Sequence, residues 1–96
     1  MGFINKSGIL EWNKLNIDTV VATCGVYVLR NASREFIYIG RSDISIRDRL
    51  LSHWNSNDIP GVAFFDWYQT SDAQNAKLIE EAWIAKYKPI YNTQLK

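Results

Sequence analysis

Gly25-Val26-Tyr27-Val28-Leu29 and Phe36-Ile37-Tyr38-Ile39-Gly40 are the two stretches that decide the fold of this 96-residue chain. Both are rich in β-branched and aromatic residues, which favour strands. The segment between them, residues 31–35, is polar. Two such runs joined by a short polar segment predict a β-hairpin.

The hairpin places its tyrosines in a predictable way. Because side chains alternate across a strand, we expect Tyr27 to share a face of the sheet with Leu29. By the same alternation, Tyr38 is expected to share a face with Phe36. Each tyrosine is then displayed beside an apolar neighbour.

Two capping signals follow the hairpin. Residues 45–48 (Ser-Ile-Arg-Asp) place a hydroxyl N-cap three residues before a carboxylate, which predicts a helix over residues 46–55. Residues 71–74 (Ser-Asp-Ala-Gln) predict the start of a second helix. That helix should continue to Tyr87, because Pro89 follows and cannot extend it.

A third strand is predicted between the helices, since residues 62–69 are rich in Phe, Trp and Tyr. The predicted element order is therefore β-β-α-β-α. We expect an α/β fold in which a small, three-stranded antiparallel sheet is flanked by helices.

Length and composition restrict the class of protein. A chain of 96 residues, 47% hydrophobic and 22% charged, has room for one domain, and we expect residues 1–96 to form it. A single cysteine, Cys24, cannot close an internal disulfide, which suits a reducing compartment. We find no apolar run of the roughly 20 residues that a membrane-spanning helix requires, and no signal-peptide pattern. The expectation is a cytoplasmic protein that does not contact a membrane.

The charges are unevenly distributed although the net charge is only +1. So small a net charge is poor support for binding nucleic acid through bulk electrostatics. All five arginines lie within residues 25–53, at positions 30, 34, 41, 47 and 49. The planar guanidinium suits bidentate binding of phosphate or carboxylate, although these side chains could equally be solvated surface charges.

Glu80 is placed unusually on the second predicted helix. At about 100° per residue it falls in the apolar arc of the helix with Ile79, Trp83 and Ile84. Its neighbour Glu81 falls on the charged arc. An ionised carboxylate against apolar surface needs a cation, a metal ion or hydrogen-bond donors. A structural ion pair with an arginine is the alternative to a functional role.

His53 is the only histidine and lies four residues after Arg49, so both project from one side of the first helix. Arg47 falls on the apolar side of that helix, and periodicity alone does not choose between Arg47 and Arg49 as a functional residue. Cys24 and His53 lack zinc-site spacing, so a bound metal would be a hard cation with few protein ligands.

The motifs together resemble the GIY-YIG nuclease family. Residues 25–27 (Gly-Val-Tyr) and 38–40 (Tyr-Ile-Gly) match its two triplets, with Val for Ile in the first. Residues 49–53 (Arg-Leu-Leu-Ser-His) are similar to the family's helix, in which His or Tyr follows an arginine by four residues. Glu80 precedes the Pro-x-x-Asn ending in the order typical of the family. The resemblance covers about residues 24–93 and leaves residues 1–23 as an extension of unassigned role.

The resemblance implies hydrolysis of DNA phosphodiester bonds with one divalent metal ion. Glu80 would be the protein ligand of Mg²⁺ or Mn²⁺. Arg49 would neutralise charge on the scissile phosphate. Tyr27 would orient or deprotonate the attacking water, with Tyr38 and His53 nearby to assist. The choice of general base among these three residues is left open.

Substrate binding is the role implied for three further residues. Arg41 would clamp a phosphate, and Gly40 and Asn92 complete the predicted substrate-binding set. Asn92 has an alternative role, which is to fix the end of the second helix.

Two departures from the family pattern matter. The spacing from Gly40 to Arg49 is one residue longer than expected, which keeps Arg47 as an alternative, although only Arg49 has His53 at the right offset. The chain also shows no separate DNA-binding domain. DNA contacts would then come from a partner protein or from a homodimer through residues 1–24 or the aromatic third strand, residues 62–69. The alternative function is an inactive module that binds nucleic acid or a protein partner.

Overall fold

The computed structural model describes residues 3–94 and shows a mixed sheet-and-helix architecture. Its strands are β1 (Phe3–Lys6), β2 (Leu10–Glu11), β3 (Gly25–Arg30), β4 (Phe36–Ser42) and β5 (Phe64–Thr70). Its helices are α1 (Lys14–Ile17), α2 (Ile46–Ser56), α3 (Ala73–Tyr87) and α4 (Ile90–Gln94). In the described part of the chain, no helix is long and apolar enough to cross a membrane.

The sheet is antiparallel throughout, with strand order β1-β5-β3-β4 and β2 also paired to β5. The three predicted strands form its centre and one edge, so the expected β-β-α-β-α core is present. Strands β1 and β2 extend the sheet beyond the predicted three strands. Because β1 and β2 cover the outer side of β5, this aromatic strand is internal, and its Trp67 is buried. Edge-to-edge pairing of β5 with a second copy of the chain is therefore excluded, and the homodimer itself stays a prediction.

A β-bulge in β4 overturns the predicted alternation of its side chains. Leu29 pairs with Tyr38, and Arg30 pairs with Phe36, which leaves Ile37 as the extra residue. Ile37 and Tyr38 consequently both pack on the side of Tyr27, whereas Phe36 packs on the opposite side. The prediction that Tyr38 and Phe36 share a face is wrong.

Helices cover both faces of the sheet. On one face, which we call the α2 face, Tyr27, Leu29 and Phe65 pack against Ile46 and Leu50 of α2. On the other, the α3 face, a smaller cluster brings together Val26, Val28, Ile39, Ala76 and Ile79. Strand β4 is an edge strand and lies beside α3, α2 and α4. Residues from both faces therefore meet at the end of β4.

The helix ends follow the capping signals. Ser45 accepts a hydrogen bond from the backbone N–H of Asp48, and Asp72 does the same for Asn75. Asn57 and Lys88 close the two helices in the left-handed conformation. The observed bounds of α2 and α3 agree with the predicted bounds to within one residue.

Candidate active site

An open pocket of about 340 Å³ lies where β4 ends and α2 and α3 converge. Arg41 and Ser42 come from β4, the next two residues from the loop that follows it, Arg49 from α2 and Glu80 from α3. We call it the edge pocket; its lining residues are Arg41, Ser42, Asp43, Ile44, Arg49 and Glu80. The fold thus joins three residues that the sequence analysis selected as functional.

Glu80 meets a cation in the edge pocket. Arg41 Nε donates to Glu80 Oε1 at 3.0 Å, and Arg41 Nη1 donates to Asp43 Oδ1 at 2.5 Å. The side chain of Glu80 is 20% exposed and that of Arg41 31%. The structure therefore contains the arginine ion pair that the sequence analysis gave as an alternative, and that pair lies on the wall of an open pocket.

The structure separates the two candidate arginines of α2. Arg49 is exposed and lines the edge pocket. Arg47 points elsewhere, because its Nε donates to the carbonyl of Val20 at 2.8 Å. Arg47 therefore fastens α2 to the segment before β3, and Arg49 is the arginine available to a ligand.

Tyr27 and Gly40 form a cross-strand pair between β3 and β4. A Cβ atom at Gly40 would lie 2.3 Å from the hydroxyl oxygen of Tyr27 and 2.4 Å from its Cζ, so only glycine leaves room for the ring. Gly25 is required for a similar reason, since a Cβ there would lie 2.2 Å from the backbone oxygen of Tyr68. Gly40 is buried, and its missing side chain serves the packing of Tyr27.

Tyr27 is fully buried and begins a chain of hydrogen bonds. Its hydroxyl lies 2.7 Å from Nε2 of His53, and Nδ1 of His53 lies 2.8 Å from Oδ1 of Asp58. Burial raises the pKa of Tyr27 well above its ordinary value, and the neighbouring Tyr38 acts in the same direction. The positive charge of Arg49 opposes that rise in the pKa of Tyr27.

Tyr38 is the more accessible of the two tyrosines. It is half-buried, and its ring lies 6.3 Å from that of Tyr27 and 5.3 Å from that of His53, centroid to centroid. Burial raises the pKa of Tyr38, and the charge of Arg49 opposes the rise. The two tyrosines, His53 and Arg49 are thus brought together, as the sequence analysis expected.

Asn92 lies in the interior and binds the edge strand. Its Oδ1 accepts from the N–H of Ile39, and its Nδ2 donates to the carbonyl of Ile39, each at 2.8 Å. The side chain is buried, with both ends of its amide occupied. Asn92 therefore fastens the chain after α3 to β4, which agrees with the structural role given as its alternative, and its contact with substrate stays a prediction.

Sequence reasoning missed Asp58 and Asp43. Asp58 lies five residues after His53, beyond the end of α2, so no helical spacing marks it. Asp43 follows β4 directly, and its contact with Arg41 depends on how the loop turns. A third acid, Asp66, is buried on the α3 face, where Arg30 binds both its oxygens at 2.8 and 3.1 Å. Arg30 thus uses its guanidinium for bidentate binding of a carboxylate within the protein, which is a structural role.

A family model places the chain among known proteins. The model of the UvrC-like GIY-YIG domain matches residues 23–93. The chain belongs to this family. The match begins just before the first triplet and ends just after Asn92, so the GIY-YIG domain accounts for β3 to α4.

Individual relatives agree with the family. UvrABC system protein C of Pediococcus pentosaceus is 30% identical over 79 residues, which cover 75% of this chain and 13% of the relative. The UvrABC system protein C of Dictyoglomus thermophilum is 30% identical over 90 residues, which cover 86% of this chain and 15% of the relative. The chain therefore spans about one seventh of the length of these relatives.

A solved structure has the same fold. It is the GIY-YIG N-terminal endonuclease domain of UvrC from Thermotoga maritima, bound to its catalytic divalent cation, magnesium. The TM-score is 0.74 at 24% identity, with 83% of this chain and 94% of that chain covered. This likeness confirms the predicted fold class, an antiparallel sheet flanked by helices.

Proposed function

We propose that this GIY-YIG domain is a DNA endonuclease that hydrolyses phosphodiester bonds with one divalent cation. The observation that carries the proposal is the edge pocket, where the carboxylate of Glu80 and the guanidinium groups of Arg41 and Arg49 line one open cavity. A phosphodiester needs positive charge around its oxygens as its transition state forms. A carboxylate among arginines supplies a place for a metal ion without leaving the pocket negatively charged.

The donor atoms suit Mg²⁺ or Mn²⁺. Oε1 of Glu80 is bound by Arg41, and Oε2 makes no hydrogen bond to any residue that the structure describes. Asp43 adds a second carboxylate to the pocket wall. No group of three or more His, Cys, Asp or Glu gathers within residues 3–94. Magnesium commonly binds one or two carboxylates and keeps water and phosphate oxygens as its other ligands. When bound, the ion would polarise a phosphate oxygen and lower the pKa of a coordinated water.

The protein residues supply charge and orientation. Arg49 is exposed in the edge pocket and stabilises negative charge on the phosphate oxygens. Tyr38 has solvent-accessible surface, whereas Tyr27 has none, so Tyr38 is the phenol that orients the attacking water. Its raised pKa keeps the phenol protonated near neutral pH. The oxygen of that water would form the new bond to phosphorus while the bond from phosphorus to the leaving oxygen breaks. A proton of the water would pass to bulk water, and the leaving oxygen would take a proton from solvent.

The direct test is cleavage of supercoiled plasmid and of flapped oligonucleotides with Mg²⁺, Mn²⁺ or EDTA. Glu80→Gln keeps the size of the side chain and removes the charge, so we expect cleavage to fall by about 100-fold or more. Glu81→Gln is the matched control, because Glu81 is the adjacent residue and is exposed. Metal-independent cutting, or equal loss in both variants, would contradict the proposal.

Binding to DNA is proposed to depend on a further protein or domain. The net charge of +1 and the engagement of Arg41 by two carboxylates leave few phosphate contacts, so the domain alone should bind DNA weakly. The match covers only 13% and 15% of the two relatives, and their names place them in the UvrABC system. An intact protein that binds DNA but cuts none of the substrates would favour the alternative, a non-catalytic binding module.

A further inference from the structure

Asp58 holds the only histidine of the chain in a defined environment. Nδ1 of His53 lies 2.8 Å from Oδ1 of Asp58, and Nε2 lies 2.7 Å from the hydroxyl of Tyr27. His53 is buried and Tyr27 is fully buried, whereas the Asp58 side chain is 48% exposed. The contacts therefore run from the surface at Asp58 to the interior at Tyr27.

The chemistry of the three groups fixes the direction of each hydrogen bond. An ionised carboxylate only accepts, so Nδ1 of His53 must donate to Asp58. In the neutral imidazole Nε2 then carries a lone pair and accepts the hydrogen of the Tyr27 hydroxyl. With its hydrogen directed to His53, the Tyr27 oxygen presents its lone pairs to other donors.

Arg49 is the donor on the other side of Tyr27. The positive charge of its guanidinium acts on the Tyr27 hydroxyl, and Arg49 lines the edge pocket. If the Tyr27 hydrogen pointed toward Arg49, two donors would face each other and that attraction would be lost. Asp58 thus determines, through His53, whether the Tyr27 hydroxyl presents lone pairs or its hydrogen to Arg49.

We propose that Asp58 is a positioning residue, which fixes His53 as the Nδ1–H tautomer and so keeps the Tyr27 oxygen free to hold Arg49 in the edge pocket. The consequence for cleavage rests on the proposed nuclease function, but the control of His53 does not. Removal of the Asp58 carboxylate should release the tautomer, let the Tyr27 hydroxyl rotate and loosen Arg49.

The first experiment is nitrogen NMR of the histidine ring in metal-free, DNA-free protein at a pH where the ring is neutral. Because His53 is the only histidine, its two ring nitrogens need no further assignment. We expect the Nδ1–H tautomer in the wild type and a mixture, or the opposite tautomer, in Asp58→Asn. In the same samples, the Nε–H signal of Arg49 should exchange faster with water in Asp58→Asn.

The matched control is Asp18→Asn. Asp18 also has a side chain that is 48% exposed, and it pairs with Lys14 far along the chain from the edge pocket. We expect this variant to keep the wild-type tautomer and the wild-type exchange of Arg49. A change that appears in both variants would report a general loss of charge and would overturn the proposal.

The second experiment measures cleavage at saturating DNA. Asp58→Asn should lower kcat by about tenfold, which is the rate equivalent of one lost hydrogen bond. In a His53→Gln background the ring tautomer no longer exists, and the amide oxygen can accept the Tyr27 hydrogen. The further loss from Asp58→Asn should there shrink to within about twofold.

The outcomes separate the two proposals. An Nε2–H tautomer in the wild type, or an unchanged tautomer in Asp58→Asn, overturns the assignment of Asp58. An altered tautomer with unchanged Arg49 exchange and unchanged kcat overturns the link to Arg49. If the wild type cuts no substrate, the nuclease function fails, and the two NMR signals still decide whether Asp58 positions Arg49 through His53 and Tyr27.

Discussion

The interior of the α2 face and the edge pocket hold their polar side chains differently. On the α2 face, Tyr27 and His53 are buried and are hydrogen-bonded to each other. At the edge of the α3 face, Arg41 and Glu80 form an ion pair that remains 31% and 20% exposed. Breaking a buried hydrogen bond typically costs about 1–3 kcal/mol, whereas an exposed ion pair contributes about 0–1 kcal/mol. The α2 face is therefore a rigid support. In the edge pocket, the ion pair of Arg41 and Glu80 can be replaced by contacts to a ligand at a small cost in free energy.

The largest expected effect comes from filling the space between Tyr27 and β4. Gly40→Ala would place a Cβ atom 2.3 Å from the Tyr27 hydroxyl oxygen, so the ring or the edge strand must move. We expect a loss of about 3–5 kcal/mol in the free energy of unfolding, measured by urea denaturation. Gly8→Ala is the control, since a Cβ there meets nothing within 4 Å. Equal stability of the two variants would show that the packing of Tyr27 against β4 is not tight.

The next prediction separates the two arginines of α2. Arg49→Ala should lower kcat by about 100- to 1,000-fold at nearly unchanged stability, because Arg49 is exposed and faces the edge pocket. Arg47→Ala should leave kcat within about twofold and cost about 1 kcal/mol of stability, because it removes the bond to the Val20 carbonyl. The two measurements are cleavage rate and urea denaturation. The reverse pattern would move the catalytic role to Arg47.

Much of this fold follows from signals that are local in the sequence. The two runs of β3 and β4 and the capping signals at residues 45–48 and 71–74 depend on residues within a few positions of each other. The structure contains all four predicted features. The ion pair of Glu80 was anticipated in part for the same reason, since its position in the apolar arc of its helix already called for a cation, a metal ion or hydrogen-bond donors.

What the sequence did not reveal depends on distant contacts. Strand β1 forms against β5, which lies more than 60 residues away in the sequence. The bulge at Ile37 results from the pairing of β3 with β4, and no residue type in that stretch marks it. Asp58 reaches His53 only after α2 has ended and the chain has turned back. Each of these features depends on contacts made in the folded structure, and the spacing of apolar residues along the sequence does not predict them.

A smaller effect is expected where Asn92 holds the edge strand. Asn92→Ala would leave the N–H and the carbonyl of Ile39 without partners in a buried position. We expect a loss of about 2–3 kcal/mol in the free energy of unfolding. Asn55→Ala, at an exposed position of α2, should change stability by less than about 0.5 kcal/mol. If Asn92→Ala had the stability of the wild type, the structural role of Asn92 would be contradicted, and substrate binding would remain its predicted role.

The smallest expected effect compares one tyrosine from each face at alkaline pH. Burial raises the pKa of Tyr27 on the α2 face and of Tyr68 on the α3 face, and the Asp66 carboxylate that accepts the Tyr68 hydroxyl adds to the second rise. Above pH of about 10 the unfolded chain releases these protons, whereas the folded chain keeps them. The stability is therefore fully present below pH 10, and each tyrosine lowers it by about 1.4 kcal/mol per pH unit above that value.

Urea denaturation between pH 8 and 11 measures this slope. Tyr27→Phe and Tyr68→Phe should each flatten it by about 1.4 kcal/mol per pH unit, although each variant is less stable than the wild type at pH 8. The faces should differ in one respect. Tyr68→Phe leaves the bidentate pair of Arg30 and Asp66 intact, whereas Tyr27→Phe leaves Nε2 of His53 without its donor in a buried place. A steeper loss of cleavage in Tyr27→Phe than in Tyr68→Phe would show that the rigid support on the α2 face serves the edge pocket; equal cleavage in both would confine its role to stability.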